Sequence, residues 1–146
     1  LTDPGLALPV VSAVTVWTNV GYVALFFLAG ILAIPASIHA AARIDGASSW
    51  QRFWHITLPM LRPTFFFVSV TGVVSAAQVF DTVYALTGGG PAGRTDLVAH
   101  RIYAEAFGAA AIGRAAVMAM VLFAILVGVT VVQHVYFRKR ISYDLT

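Results

Sequence analysis

The sequence predicts an all-α protein that crosses a membrane three times. Three observations lead there. Hydrophobic residues make up 60% of the chain and charged residues 10%, whereas soluble domains average about 25% charged. Three long runs are apolar and nearly free of charge, and about 20 such residues are enough for a helix to cross the hydrocarbon core. Most of the charge falls in the segments that separate or follow those runs. The competing reading is a soluble protein with buried core helices. It fails because 146 residues would leave too little polar surface to cover three of them.

The first span is expected over about residues 8–34, since no charged residue occurs between Pro4 and Ala42. The chain opens Leu1-Thr2-Asp3-Pro4, with neither Met nor a basic leader, as the interior of a longer protein would. Within this span Ser12, Thr15, Asn19 and Tyr22 recur at helical spacing and share one face. The second span is expected over 63–86, where Thr71, Ser75, Gln78 and Thr82 form a similar stripe and Asp81 lies one turn from Gln78. Polar groups are costly in hydrocarbon, so both stripes should face protein or water. They read either as helix–helix glue or as the wall of a hydrophilic path. Trp17 and Tyr22 beside hydroxyls and amides would suit a sugar. Asp81 reads equally as part of such a path or as an anchor at the outer end of span two. The third span is expected over 115–137.

Three crossings put the segment 38–62 and the C-terminal tail on one side. Arg43, Arg52, Arg62, Arg138, Lys139 and Arg140 lie there, against Arg94, Arg101 and Arg114 in the loop 87–114. That bias places the first group in the cytoplasm. In the outer loop Gly88 to Pro91 should break the helix, and Thr95 or Asp96 should cap a short helix running to about Phe107. Arg101 and Glu105 are spaced as an i,i+4 pair on it.

Several functions are excluded or unsupported. There is no cysteine, hence no disulfide framework and no thiolate metal site. The four histidines stand apart at 39, 55, 100 and 134, without metal-ligand spacing, and no catalytic set is visible. The triple glycine lacks the Gly-Lys-Ser/Thr of a phosphate loop. A net charge of +3 spread along the chain does not suggest nucleic acid.

The segment 38–62 is unusual for so apolar a chain. Residues from Ile38 to Ile44 should form a short helix that Asp45-Gly46 breaks, and Ala47 to Ile56 a second amphipathic stretch with Trp50, Phe53 and Trp54 as its bulky face. Leu58-Pro59 and Arg62-Pro63 should then return the chain to the bilayer. On composition alone this is an interfacial helix pair anchored among lipid headgroups.

The order of motifs says more. Ala41-Ala42, Asp45-Gly46-Ala47 and Ile56-Thr57-Leu58-Pro59, flanked by Ile34-Pro35 and Arg62-Pro63, resemble the EAA loop of ATP-binding-cassette (ABC) importer permeases. Val79 to Pro91, Thr95 and Ile102 to Phe107 are similar to the sugar and glycerol-phosphate subgroup, and the likeness runs along the whole chain. The resemblance implies the C-terminal half of a six-helix type I importer permease in the bacterial inner membrane. It implies that Ala40, Ala41, Ala42, Asp45, Gly46, Ala47, Phe53, Ile56, Leu58 and Pro59 form coupling helices that dock on a cytoplasmic ATPase dimer. It implies a second permease subunit and an extracytoplasmic solute-binding protein as partners, with ATP and Mg bound by the ATPase and no cofactor or catalytic residue here. Asn19, Tyr22, Ser75, Gln78 and Asp81 would line the substrate path, beside Gly72, Ala76 and Val79 at other family contact positions. The sequence departs at Ala40, where the family carries an acidic residue, and at His39, where an aromatic often stands. A structural membrane protein, and a half-permease inactive by itself, are the alternative readings.

Overall fold

A computed structural model describes residues 3–138. It is helical, with three helices long and apolar enough to cross a membrane: Pro4–Leu32, Arg62–Leu86 and Ile112–Arg138. Lys139 and Arg140 of the expected basic cluster lie outside the described residues.

Helix α1 (Pro4–Leu32) starts where the Asp3 carboxylate accepts from the Gly5 amide at 2.7 Å, with proline in its first turn. After Pro35, α2 (Ala36–Ile44) runs to Asp45. It ends in a Schellman motif: Ala47 N–H donates to Ala42 O at 2.9 Å and Gly46 N–H to Arg43 O at 3.1 Å. Gly46 supplies the left-handed conformation this needs, at φ +77.

Ser48 then opens α3 (Ser49–Arg52) with a capping box. Its hydroxyl accepts from Gln51 N–H, and the Gln51 side chain accepts from Ser48 N–H. Leu58-Pro59 lies within a helical run that leads to α5. A π-helical turn, Phe53–Thr57, leads directly into α4 (Leu58–Met60). Pro59 has no N–H for His55 O, and its ring would strike that carbonyl in a regular helix. The wider turn just before it makes room.

The second span does not stay regular to residue 86. Helix α5 (Arg62–Ala77) ends at Gln78, the backbone kinks through Phe80, and α6 (Asp81–Leu86) follows. Phe80 is held there by ring contacts with Tyr84 at 5.3 Å and Tyr103 at 5.0 Å.

The outer helix α7 (Val98–Tyr103) continues through a π turn, Ala104–Gly108. Its N-cap is Leu97, with no side-chain cap, so neither Thr95 nor Asp96 caps it. Each is engaged elsewhere. Thr95 is fully buried, donates to Gly90 O at 2.7 Å and shares a 2.7 Å bond with the Thr87 hydroxyl. The Asp96 carboxylate bonds His100 Nδ1 at 2.8 Å and Arg101 at 3.0 Å. The expected Arg101–Glu105 pair forms at 3.3 Å, and Arg114 approaches the other Glu105 oxygen at 3.2 Å.

Finally α8 (Ile112–Arg138) runs back along α5. Phe66 meets Phe137 at 5.2 Å, and Gln133 Nε2 donates to Ser69 O at 3.5 Å. Helix α1 packs on α5 in the opposite sense, through Phe27–Phe65 at 4.7 Å and Phe26–Phe67 at 4.8 Å. These contacts put residues 33–61 and the end of α8 at one end of the bundle. The segment 78–111 lies at the other.

Candidate functional site

The two polar stripes meet. A cavity of about 200 Å³ between α1 and α5 is lined by Thr15, Asn19 and Tyr22 on one side and by Thr71 and Ser75 on the other, with Gly72 and Ala76 among its apolar lining. Gln78 and Asp81 are not in its wall. The stripe had assumed a regular helix through residue 82, and the break after Ala77 carries both residues off that face. Val79, at the break, does not line it either.

The hydrogen bonds of the two stripes stay within their own helices. Thr15 donates to Val11 O at 2.9 Å, Asn19 Nδ2 to Thr15 O at 2.8 Å and Thr71 to Phe67 O at 2.9 Å. Each bond returns to its own helix. Among the described residues no hydrogen bond crosses from one stripe to the other. The hydroxyls of Ser75 and Tyr22 and the amide oxygen of Asn19 are left with capacity for a polar guest. Tyr22 stands against Phe26, ring centroids 4.7 Å apart, which fixes its plane at the rim. Ligand sites usually measure about 300–1,000 Å³. The smaller space suits one wall of a path. No Lys, Arg or His lines it.

At the opposite end of α5, Asp45, Gly46, Ala47 and Ile56 line one groove with Gln51, Arg52 and His55. Phe53 stacks with Trp50 at 6.2 Å and meets Trp54 edge-on at 5.6 Å, so the aromatic face read from the sequence exists. Leu58 and Pro59 line a further groove with Trp54, Arg62 and Phe65. Ala40 and Ala41 lie exposed on α2, and Ala42 is half-buried there. With Asp45 the only carboxylate in the segment, this end is basic.

At the outer end, Phe80, Tyr84, His100 and Tyr103 form one aromatic cluster. Gly89, at φ +87, admits the His100 ring so closely that a Cβ there would stand 2.7 Å from it. The hydrogen bond from His100, reinforced by Arg101, holds the Asp96 carboxyl below its ordinary pKa against the opposing effect of burial. The hydrogen bond with Tyr84 pushes the Tyr103 phenol up.

Sequence reasoning missed four residues that shape these sites. Thr15 and Thr71 were read as parts of the stripes but not assigned to the path. Ser48 carried a readable signal, Ser-x-x-Gln before an aromatic run. Gly30 gave none; its role depends on α1 meeting Leu61 and Thr64.

Residues 1–142 match the family described as binding-protein-dependent transport system inner membrane component. The sn-glycerol-3-phosphate transport system permease protein UgpA of Agrobacterium fabrum is 38% identical over 98% of this chain and 49% of its own length. That of Rhizobium meliloti is 40% identical over 87% of this chain and 44% of its own. That of Yersinia enterocolitica is 36% identical over 97% of this chain and 48% of its own. The chain spans about half the length of the curated relatives it matches. With its three membrane-spanning helices and this match along nearly its whole length, the chain belongs to the family of multi-pass inner-membrane components of binding-protein-dependent transport systems.

Proposed function

We propose that this chain is the coupling-loop half of a permease subunit in an ABC importer, and that the subunit moves a sugar or related carbohydrate inward by ATP-driven alternating access. The observation that carries this reading is the cavity between α1 and α5, whose two polar walls make no hydrogen bond to each other. Asn19, Tyr22 and Ser75 present hydroxyl and amide groups to the solute. The excess of Lys and Arg in residues 38–62 and the C-terminal tail together favours the cytoplasm for that side. There the segment docks on an ATPase dimer, which binds ATP and Mg, while a second permease subunit completes the path. A solute-binding protein docks at the outer loop.

The helical run from Ser49 to Ala77 supports the coupling part. It is broken only at Leu61, so a push on the loop reaches α5 and the cavity wall. The named substrate of the relatives supports the carbohydrate and polyol-phosphate class. Within that class, the lack of a cationic side chain in the wall favours a neutral solute over a phosphorylated one.

Uptake by the reconstituted importer tests this, with neutral sugars and sn-glycerol-3-phosphate offered in parallel. Asn19→Leu and Ser75→Leu should each cut uptake at least tenfold while the complex still assembles. Uptake and preference unchanged in both variants would sink the path and favour a purely structural role for the stripes.

A further inference from the structure

A second cavity, of about 480 Å³, opens where the end of α1 meets α2 and α3. Its lining divides by chemistry. Ile31, Leu32 and Phe53 form an apolar part; His39, Arg43 and Arg52 form a basic part; among the described residues no carboxylate lines it. His39 and Arg43 are four residues apart on α2 and so share a face. The Arg52 guanidinium is oriented but not neutralised, since its acceptors, Ala47 O at 3.0 Å and Ser49 Oγ at 3.1 Å, are uncharged. Arg43 is exposed and forms no ion pair among the described residues.

The position of the cavity matters as much as its charge. Leu32 ends a membrane-spanning helix and is 75% exposed. If α1 spans the bilayer to Leu32, the apolar part meets the edge of the hydrocarbon and the basic part the headgroups beyond it. Basic pockets at the cytoplasmic ends of spanning helices suit anionic headgroups.

We propose that this cavity binds an anionic phospholipid, its phosphate at Arg43 and His39 and its acyl chains along Ile31 and Leu32. Arg52, held by the loop, closes the far side. A zwitterionic lipid also brings an ammonium group, and among the described residues the cavity holds no carboxylate to receive it. The bound lipid would tie α2 to the end of α1. The proposal does not depend on the transported solute.

The test uses the full-length permease in nanodiscs of phosphatidylglycerol, phosphatidylcholine or their equal mixture, with retained lipid counted by native mass spectrometry. The native protein should retain phosphatidylglycerol from the mixture. Arg43→Gln should lower that retention about fivefold, the effect of one cation near an anionic leaflet. Arg43→Lys should keep most of it, and Arg94→Gln, in the outer loop, should change nothing. Equal retention of the two lipids would overturn the proposal, as would Arg43→Gln matching the native protein. So would displacement of phosphatidylglycerol by millimolar inorganic phosphate, which would mark the cavity as a site for a soluble anion.

Discussion

Gly30 is where α1 comes closest to the start of α5. A Cβ placed there would stand 2.5 Å from Thr64 Oγ1 and 2.8 Å from Leu61 Cδ2, inside the ordinary contact distance of about 3.5–4.0 Å. Gly30→Ala must therefore turn Thr64 or move α1 outward by about 1 Å. Moving α1 would also loosen the Phe26–Phe67 and Phe27–Phe65 contacts along the same seam. Overpacking of this kind costs about 1–3 kcal/mol. The better helix propensity of alanine returns at most about 1 kcal/mol. The net expectation is a loss of about 1 kcal/mol. In lipid this matters, because close packing rather than water exclusion holds helices together. The assay is denaturant unfolding of the full-length permease in mixed micelles, run as a double-mutant cycle with Thr64→Ala. Removing Oγ1 takes away the nearer clash, so Gly30→Ala should cost less than half as much in the Thr64→Ala background. A neutral or stabilising Gly30→Ala, or the same effect in both backgrounds, would refute the packing argument.

Three further outcomes follow from the same contacts. Thr95→Val keeps the shape but removes a buried hydroxyl bonded to Thr87 and Gly90; it should destabilise by about 1–3 kcal/mol, read as faster hydrogen exchange over residues 87–97. Asp96 has a lowered pKa, so the folded state releases its proton more readily than the unfolded chain. Its stabilisation should be complete above the ordinary carboxylate value of about 3.9 and fade as pH falls through the lower native value; Asp96→Asn should flatten that acid limb of a thermal-unfolding series. Gln133 has a buried Oε1 without a hydrogen-bond partner and gives only a long bond to Ser69 O; Gln133→Leu should be neutral or stabilising by up to about 1 kcal/mol in the micelle assay.

The spans were legible because lipid imposes a simple demand. Every backbone group must bond within the segment and few charges are tolerated, so uncharged length reveals a crossing. The Asp45-Gly46 break was legible for a local reason: only a residue tolerant of positive φ closes a Schellman motif cheaply. The break after Ala77 was not legible. It has no Gly or Pro; tertiary ring contacts of Phe80 hold it, and they come from residues up to 23 positions away. That break also explains why half of the second stripe reached the cavity and Gln78 did not. Thr95 and Asp96 looked like caps because their side chains suit that role. Burial against Gly90 and pairing with His100 claimed them instead. Pro59 falls inside a helical run, and a π turn absorbs it. At Thr95, Asp96 and Pro59 the competing contacts are near in sequence, and only the break after Ala77 draws on a distant one, Phe80 with Tyr103.

The most direct test of the coupling reading is ATP hydrolysis by the complete reconstituted importer, native against Gly46→Val. A Cβ at Gly46 meets nothing within 4 Å in this chain, so added bulk there projects toward whatever docks on the loop. The left-handed backbone at φ +77 adds strain of about 1–2 kcal/mol, which distorts the turn between α2 and α3 without unfolding the spans. The complex is expected to assemble and to hydrolyse ATP at its basal rate, while stimulation by the loaded solute-binding protein is lost. Stimulation that survives the substitution would show that residues 38–62 are only an interfacial anchor, and would contradict the account.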